Sequence, residues 1–283
     1  MRITLGGRTK FNGCHELNTT TLELPVEKVV TQLDRVPPIK FGSDERNKKR
    51  PRAPEELNWT KKSILWELPY WNKLNLRHNL DVMHIEKNIC ENVYGTMLAI
   101  DGKNKDTHKA REDLKQMGIR RELHLQITDN GSVVKPPAMY TLDSKQIDGF
   151  CEFFKSISYP DGYAANISRC VTTKNGRLSG MKSHDCHVLL QRLLPIGMRG
   201  FVNKEISTTL FELGNFFQEL CSKTLSQSNL EKLEERIVLI LYKLERIFPL
   251  AFFEVMVNLA IHLPREAMLA GPVQYRWMYP IER

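Results

Sequence analysis

The chain has 283 residues with 41% hydrophobic and 26% charged side chains, proportions at which a folded core is expected in one large domain or two smaller ones. The longest aliphatic run, near Ile237 to Tyr242, is far shorter than the roughly 20 residues of a bilayer span. The beginning of the chain lacks the apolar block of a signal peptide. We therefore expect neither a membrane span nor secretion, and a net charge of +8 favours an anionic partner, nucleic acid first.

The six cysteines are scattered along the chain and form no Cys-x-x-Cys pair. In a chain of this length such a distribution favours reduced thiols over a disulfide framework. They are Cys14, Cys90, Cys151, Cys170, Cys186 and Cys221.

Residues 1–60 are rich in Thr, Pro and charge, and we interpret them as a basic, poorly ordered arm. Five cations stand within seven residues, and their mutual repulsion resists burial. The functional interpretation is a nuclear-import signal or a phosphate-contacting arm, and the structural one is a solvated linker. The candidate nucleic-acid-binding residues are Arg46, Lys48, Lys49, Arg50 and Arg52.

Residues 61–125 are predicted to be helical. Helical structure is expected from Lys61 to Trp66, up to Pro69, and a longer helix is expected with Asn79 as N-cap and Gly102 as stop. Gaps of three and four residues place one set of side chains on a single apolar face. These are Val82, Ile85, Ile89, Val93, Met97 and Ile100.

Residues 126–180 are predicted to be a connector, because turn signals such as Asp129-Asn130-Gly131 and Pro160-Asp161-Gly162 interrupt any longer pattern. One amphipathic stretch, from Ser144 to Ile157, predicts a short helix. A strand is expected at 139–142, which would be minor β structure in a mainly α chain.

Residues 181–283 are predicted to form a helical domain. A capping box of Ser228 and Glu231 is expected to begin one helix, whose buried face repeats from Leu230 to Phe248. A second helix is expected from Pro249 to about His262, where Pro264 should force Leu263 out of helical geometry.

Three sets of side chains have the residue types of a site. Glu254, Asn258 and His262 share one helical face, which is either a ligand row or an ordinary solvated surface. Glu86 projects towards the apolar stripe, as a partnered buried carboxylate or as a site residue. The run His184-Asp185-Cys186-His187 lacks a second ligand pair, which favours packing or a local polar cap over zinc.

Four blocks resemble the transposases of plant CACTA (En/Spm-type) DNA transposons. They are Phe11-Asn12-Gly13, residues 76–88 (LRHNLDVMHIEKN), residues 182–195 (KSHDCHVLLQRLLP) and residues 248–283, which end in GPVQYRWMYPIER. The blocks keep their order over nearly the whole chain, and the second half resembles the uncharacterised domain that follows the transposase region in this family.

The resemblance implies an RNase H-like core with a helical insertion, which transfers DNA strands in the nucleus with two divalent metal ions, Mg²⁺ or Mn²⁺. Transposon ends are the implied DNA partner, together with self-association or pairing with a complete transposase. The resemblance also implies a zinc site at positions matching Asn258 and His262, followed by a catalytic carboxylate. Glu282 is the first candidate for that carboxylate and Glu86 the second.

The sequence departs from the family pattern in two respects, and both bear on the expected activity. Asn258 stands where the family has His, and a neutral amide is a poor zinc ligand. The segment that would bring the first two aspartates and a Cys-x-x-Cys is not recognisable, so we expect a fragment covering the insertion and post-insertion part, catalytically inert alone. The competing hypothesis is a non-catalytic helical module that binds DNA or protein.

Overall fold

The structure is a computed structural model, and it describes residues 25–36, 61–159, 166–172 and 177–277. The chain divides into two units, one holding Glu16–His78 and the other Asn79–Arg283. The described part of the chain is mainly helical, as predicted. No described helix combines the length and the apolar character needed to cross a bilayer.

Among its described residues, the first unit contains one α-helix, α1 (Val26–Asp34), which lies within the segment 1–60 that was predicted to be a poorly ordered arm. Two 3-10 turns follow, Ile64–Glu67 and Trp71–Lys73, so helical structure begins three residues later than expected. Ser63 caps the first turn, because its hydroxyl accepts a hydrogen bond from the Leu65 amide at 3.3 Å. The remaining residues of 1–60 lie outside the described ranges, apart from 25, 35 and 36.

The second unit is built from nine further α-helices within the described residues. In chain order they are α2 (Val82–Met97), α3 (His108–Met117), α4 (Ser144–Ser156), α5 (Ser183–Val188), α6 (Leu194–Met198), α7 (Lys204–Leu220), α8 (Gln227–Ile247), α9 (Val255–Leu259) and α10 (Leu263–Ala270). A π-helical turn, Leu189–Leu193, joins α5 to α6. Short 3-10 turns cover Arg121–Leu123, Ile167–Cys170, Leu250–Phe252, Ala260–His262 and Val273–Tyr275.

Strand structure among the described residues is limited to two small antiparallel hairpins. β1 (Gln126–Ile127) pairs with β2 (Val133–Val134), and β3 (Val171–Thr172) pairs with β4 (Arg177–Leu178). The strand predicted at 139–142 is wrong: this segment turns, and the Thr141 amide donates to the Ala138 carbonyl at 3.0 Å. Burial of Tyr140 and Leu142 in the core, rather than pairing, explains their apolar character.

Helix α2 confirms its predicted apolar face, because Ile85, Ile89 and Val93 are at most 1% exposed. Its N-cap is Asp81 and not Asn79, since the Asp81 carboxylate accepts a hydrogen bond from the His84 amide at 3.2 Å. The helix also ends before the predicted stop at Gly102, with Leu98 as C-cap. The side-chain cap at Asp81, rather than the length of the apolar pattern, sets the beginning of the helix.

Helices α7 and α8 run antiparallel, as the ion pairs Arg236–Glu219 at 2.8 Å and Lys243–Glu212 at 2.6 Å show. The apolar face of α8 that the sequence predicted is buried from Leu230 to Leu244. Its predicted capping box is wrong, because Ser226 is the N-cap and accepts from the Asn229 amide. At the other end, the Arg120 guanidinium donates to the Ile247 and Phe248 carbonyls at 3.1 and 2.9 Å, which satisfies groups that a helix C-terminus leaves open.

The π-helical turn at Leu189–Leu193 lies just before Pro195, which has no amide hydrogen to close an α-helical turn. Gly214 of α7 packs directly against this turn. A Cβ atom at Gly214 would lie 2.8 Å from the Leu190 carbonyl oxygen and 3.2 Å from the Pro195 ring. The close approach of α7 therefore requires glycine at this position.

The helix predicted from Pro249 to His262 is interrupted. Leu250–Phe252 and Ala260–His262 are 3-10 turns on either side of α9, and the predicted end at Leu263 is wrong. Leu263 has α-helical angles and begins α10, with Pro264 in the first turn, where a missing amide hydrogen breaks no helical bond. The restriction that proline places on the preceding residue is a preference, and the buried Leu263 side chain overrides it here.

Candidate functional site

The second unit brings one carboxylate, one imidazole, one amide and one thiol together. Glu86 lies on α2, His187 on α5, Gln191 in the π-helical turn, and Cys221 directly after α7. We call these four residues the Glu86 cluster. Packing of α2 against α5, and of the π-helical turn against α7, joins residues that are far apart in sequence.

Glu86 is 1% exposed, and its two carboxylate oxygens have separate partners. Gln191 Nε2 donates to Glu86 Oε1 at 2.9 Å, and His187 Nδ1 lies 2.7 Å from Glu86 Oε2. Gln191 Nε2 is also 3.0 Å from His187 Nδ1, so the imidazole tautomer decides which of the two partners that nitrogen bonds. A buried carboxylate requires such partners, because it has lost the hydrogen bonds of water.

Cys221 completes the cluster as a buried thiol. Burial raises the pKa of Cys221 well above its usual value, and the negative charge of Glu86 raises it further, while a hydrogen bond with Gln191 acts in the opposite direction. Because its pKa is raised well above the usual value, the Cys221 thiol is protonated at neutral pH. The cluster as it stands is therefore a network with a single carboxylate and neutral sulfur.

The contact between α2 and α5 also holds two buried thiols, Cys90 on α2 and Cys186 on α5. Burial raises the pKa of Cys90 on α2, as does its hydrogen bond with Cys186 on α5. On the outer side of the cluster, the Trp277 ring meets the His187 ring edge-on, with 5.9 Å between the ring centroids. The His187 side chain retains 17% exposure, so the imidazole forms the solvent-facing side of the cluster.

The Glu86 cluster contains the residue types of a metal site. One ligand atom each of Glu86, His187 and Cys221 lies within 4.8 Å of the others. Among the described residues, this is the one group of three or more carboxylate, imidazole or thiol side chains that meets so closely. A thiolate, an imidazole and a carboxylate together are typical ligands of Zn²⁺.

Among the sequence-predicted candidates that the structure describes, Glu254, Asn258 and His262 are not part of the Glu86 cluster. Glu86 is a partnered buried carboxylate, one of the two interpretations left open for it. Glu254 pairs with Lys105 at 2.8 Å, the Asn258 amide lies 3.5 Å from the Phe253 carbonyl, and His262 is exposed. Glu282 and the five cations Arg46, Lys48, Lys49, Arg50 and Arg52 lie outside the described residues.

The run His184-Asp185-Cys186-His187 has both the predicted local role and an unpredicted one. The Lys182 amide donates to Asp185 Oδ2 at 2.9 Å, which confirms the local polar cap. His187 reaches Glu86, a contact that no pattern in the sequence predicted. The four-residue spacing of His187 and Gln191 placed them on one helical side, but nothing in the sequence pointed to Cys221.

A second buried polar group lies elsewhere in the unit, between α3 and the loop before it. Arg111 is fully buried and binds Asp106 through two nitrogens, of which Nη2 is 2.7 Å from Oδ2. Arg111 Nη1 donates to the Leu123 carbonyl at 2.7 Å, and Lys135 lies 3.5 Å from Asp106 Oδ2. Burial alone would raise the pKa of Asp106, but the Arg111 guanidinium holds that pKa below its ordinary range.

Residues 220–283 match a known family model, a domain of unknown function named DUF4218. The matched segment begins beside Cys221 and contains α8, α9 and α10. No curated protein and no solved structure matches the chain.

Proposed function

We propose that this chain is a helical part of a CACTA-type DNA transposase, which binds DNA and supports metal-dependent strand transfer by the complete protein in the nucleus. The observation that carries the proposal is the match of residues 220–283 to DUF4218, a domain found in plant transposase-related proteins. The match contains the last of the four blocks that resemble CACTA transposases. Two of the other blocks, at 76–88 and 182–195, contain Glu86 and His187, which meet in the contact between α2 and α5.

In this proposal the chain alone does not cut DNA. Two-metal strand transfer needs several carboxylates around Mg²⁺ or Mn²⁺. Glu86 stands beside an imidazole and a thiol, a set that suits Zn²⁺ better than Mg²⁺ or Mn²⁺. Asp106 and Glu254 are held by Arg111 and Lys105. We therefore assign the catalytic carboxylate of the complete protein to Glu282 in preference to Glu86.

The DNA-binding half of the proposal is tested by the salt dependence of duplex binding. Contacts between phosphates and Arg46, Lys48, Lys49, Arg50 and Arg52 would make affinity fall with salt, by a log–log slope of about 0.9 per phosphate. Alanine at all five positions should flatten the slope. The matched control replaces five exposed lysines of the described helices, Lys109, Lys115, Lys145, Lys155 and Lys232.

An unchanged slope in the five-alanine variant, or an equal loss in the control variant, would contradict a DNA-contacting arm.

Catalysis is tested separately with supercoiled DNA and Mn²⁺. We expect no nicking by the purified chain. If the wild-type chain nicks DNA and Glu282→Gln abolishes the nicking, the proposed inertness is wrong and the transposase assignment stands.

The second candidate function is a non-catalytic helical module that binds protein. Its supporting observation is the outer face of α8, where Leu239 and Tyr242 are 59% and 51% exposed. Val238 extends this apolar surface, which suits self-association or pairing with a complete transposase. Concentration-dependent association that is lost in Leu239→Lys, without any DNA affinity, would favour this function over the first.

A further inference from the structure

We propose that Glu86, His187 and Cys221 bind a Zn²⁺ ion that ties α2, α5 and the end of α7 together. The ligand atoms of these residues lie within 4.8 Å of one another. In a tetrahedral zinc site, with bonds of about 2.0 to 2.3 Å, ligand atoms are separated by roughly 3.3 to 3.8 Å. Adjustments of about 1 Å, within the reach of small side-chain rotations, would complete the coordination.

The chemistry of the ligands selects the ion. A thiolate is a soft ligand that favours Zn²⁺, whereas Mg²⁺ and Ca²⁺ take oxygen ligands almost alone. The site is also short of positive charge. Within the described part of the chain, no lysine or arginine pairs with Glu86, whose Oε2 atom lies 2.7 Å from the imidazole Nδ1 of His187. A divalent cation would neutralise the buried carboxylate and the thiolate together.

Metal binding follows a balanced exchange. The Cys221 thiol releases its proton to solvent as the Sγ–Zn bond forms. The proton between His187 Nδ1 and Glu86 moves through solvent to His187 Nε2, so that Nδ1 and the Glu86 carboxylate each form one bond to zinc in place of their hydrogen bond. Zinc keeps its oxidation state, so no oxidant or reductant is needed. A water molecule takes the fourth position, at the side where His187 reaches the surface.

Gln191 acts in this site as a positioning residue. Its amide nitrogen lies 2.9 Å from Glu86 Oε1 and 3.0 Å from His187 Nδ1. Outer partners of this kind orient metal ligands, and their loss weakens metal binding by about 10-fold to 100-fold. The π-helical turn that holds Gln191 is a rare backbone form that often occurs at functional sites.

The site gives the DUF4218 segment an attachment to the rest of the unit. Cys221 lies at the beginning of the matched residues, whereas Glu86 and His187 precede them. The zinc would therefore link the matched segment to α2 and α5. This proposal does not depend on the transposase assignment, because it needs no DNA and no catalytic metal.

The experiment is a Co²⁺ titration of the full chain, reduced and stripped of metal with a chelator. Cobalt in a site with one thiolate gives a sulfur-to-metal charge-transfer band and the visible bands of tetrahedral Co²⁺. We expect saturation at one Co²⁺ per chain and displacement by one Zn²⁺. Cys221→Ser should abolish the charge-transfer band, and Gln191→Leu should weaken binding by about 10-fold.

Two variants are matched controls. Cys151→Ser removes another buried thiol, on α4, and His262→Gln removes the histidine at which the family resemblance places zinc. Both should keep the band and its stoichiometry. If Cys221→Ser does not fold, X-ray absorption of the zinc-loaded wild-type chain decides instead, with one sulfur and otherwise nitrogen or oxygen ligands expected.

Absence of stoichiometric binding, or a band that survives Cys221→Ser, would overturn the site. A zinc shell with two sulfurs, as the Cys90–Cys186 pair would give, would also overturn it. If the five-alanine variant binds DNA as the wild type does, the metal-binding results are not affected. The DNA-binding proposal and the zinc proposal can therefore fail independently.

Discussion

Two of the buried carboxylates of the second unit, Asp106 and Glu86, are 2% and 1% exposed, yet they are stabilised in different ways. Asp106 has a permanent cation, because Arg111 binds it through two nitrogens and Lys135 lies nearby. Glu86 has an imidazole and an amide, with a thiol beside them. The Asp106 group is complete as it stands, whereas the Glu86 cluster has ligands for one more cation.

The difference separates a structural group from a candidate site. A guanidinium fixes charge and geometry together, and it leaves no place for an ion. An imidazole and a thiol can lose a proton and then bind a metal ion. The burial that keeps the metal-free groups inert also holds them close together, as a zinc site requires. Substitutions in and around the two groups test this contrast, beginning with the largest expected effect.

Replacing Arg111 with Met should reduce the free energy of unfolding by about 3 to 5 kcal/mol, because Asp106 would remain buried without its partner. Urea denaturation measures the change. The control is Arg111→Met combined with Asp106→Leu, which removes both charges and should recover most of the loss. A loss below about 1 kcal/mol for Arg111→Met would contradict a complete ion pair.

Acidification should weaken the same group. The pKa of Asp106 is lowered in the folded chain by Arg111, despite the opposing effect of burial. Its stabilisation is therefore fully present above its ordinary pKa of 3.8 and is lost as pH falls through the lower folded value. Urea denaturation of the wild type and Asp106→Asn between about pH 6 and pH 2 should show a smaller pH dependence in the variant; equal dependence would contradict the assignment.

Gly214→Ala should reduce the free energy of unfolding by about 1 to 3 kcal/mol, because the new methyl group meets the Leu190 carbonyl in the turn that holds Gln191. Gly200→Ala is the control, since a Cβ there meets nothing within 4 Å. Thermal unfolding followed by circular dichroism compares the two. Equal stability of both variants would show that α7 does not need glycine against the π-helical turn.

Glu86→Gln should change the stability of the metal-free chain by no more than about 1 kcal/mol, because an amide of the same shape can hydrogen-bond with Gln191 and His187. Urea denaturation in the presence of chelator measures this. A loss as large as that of Arg111→Met would place the two carboxylates in the same structural class, and the contrast between them would be wrong.

Local patterns in the sequence predicted the buried faces of α2 and α8 and the short helix α4, because periodic apolar residues lie on one side of a helix whatever surrounds it. They did not predict the helix ends. Asp81 and Ser226 are the caps in place of Asn79 and Ser228, since several polar residues near a helix start can serve and packing selects one.

The candidate site was less predictable still. Glu86 was identified because a carboxylate on an apolar face requires a partner. His187, Gln191 and Cys221 become its neighbours only through packing of α2, α5 and the end of α7, and no spacing in the sequence encodes that contact. The ligand row Glu254, Asn258 and His262 assumed one continuous helix, which the 3-10 turn at Ala260–His262 interrupts.

The contrast between the two carboxylates is tested most directly by the melting temperature of the full chain with chelator and with Zn²⁺. Zinc at about 100 times its dissociation constant should stabilise the wild type by about 2.7 kcal/mol, because it binds the folded chain alone. The same shift should occur in Cys151→Ser and disappear in Glu86→Gln and Cys221→Ser. No zinc-dependent shift in the wild type, or an undiminished shift in Cys221→Ser, would contradict a zinc site at the Glu86 cluster.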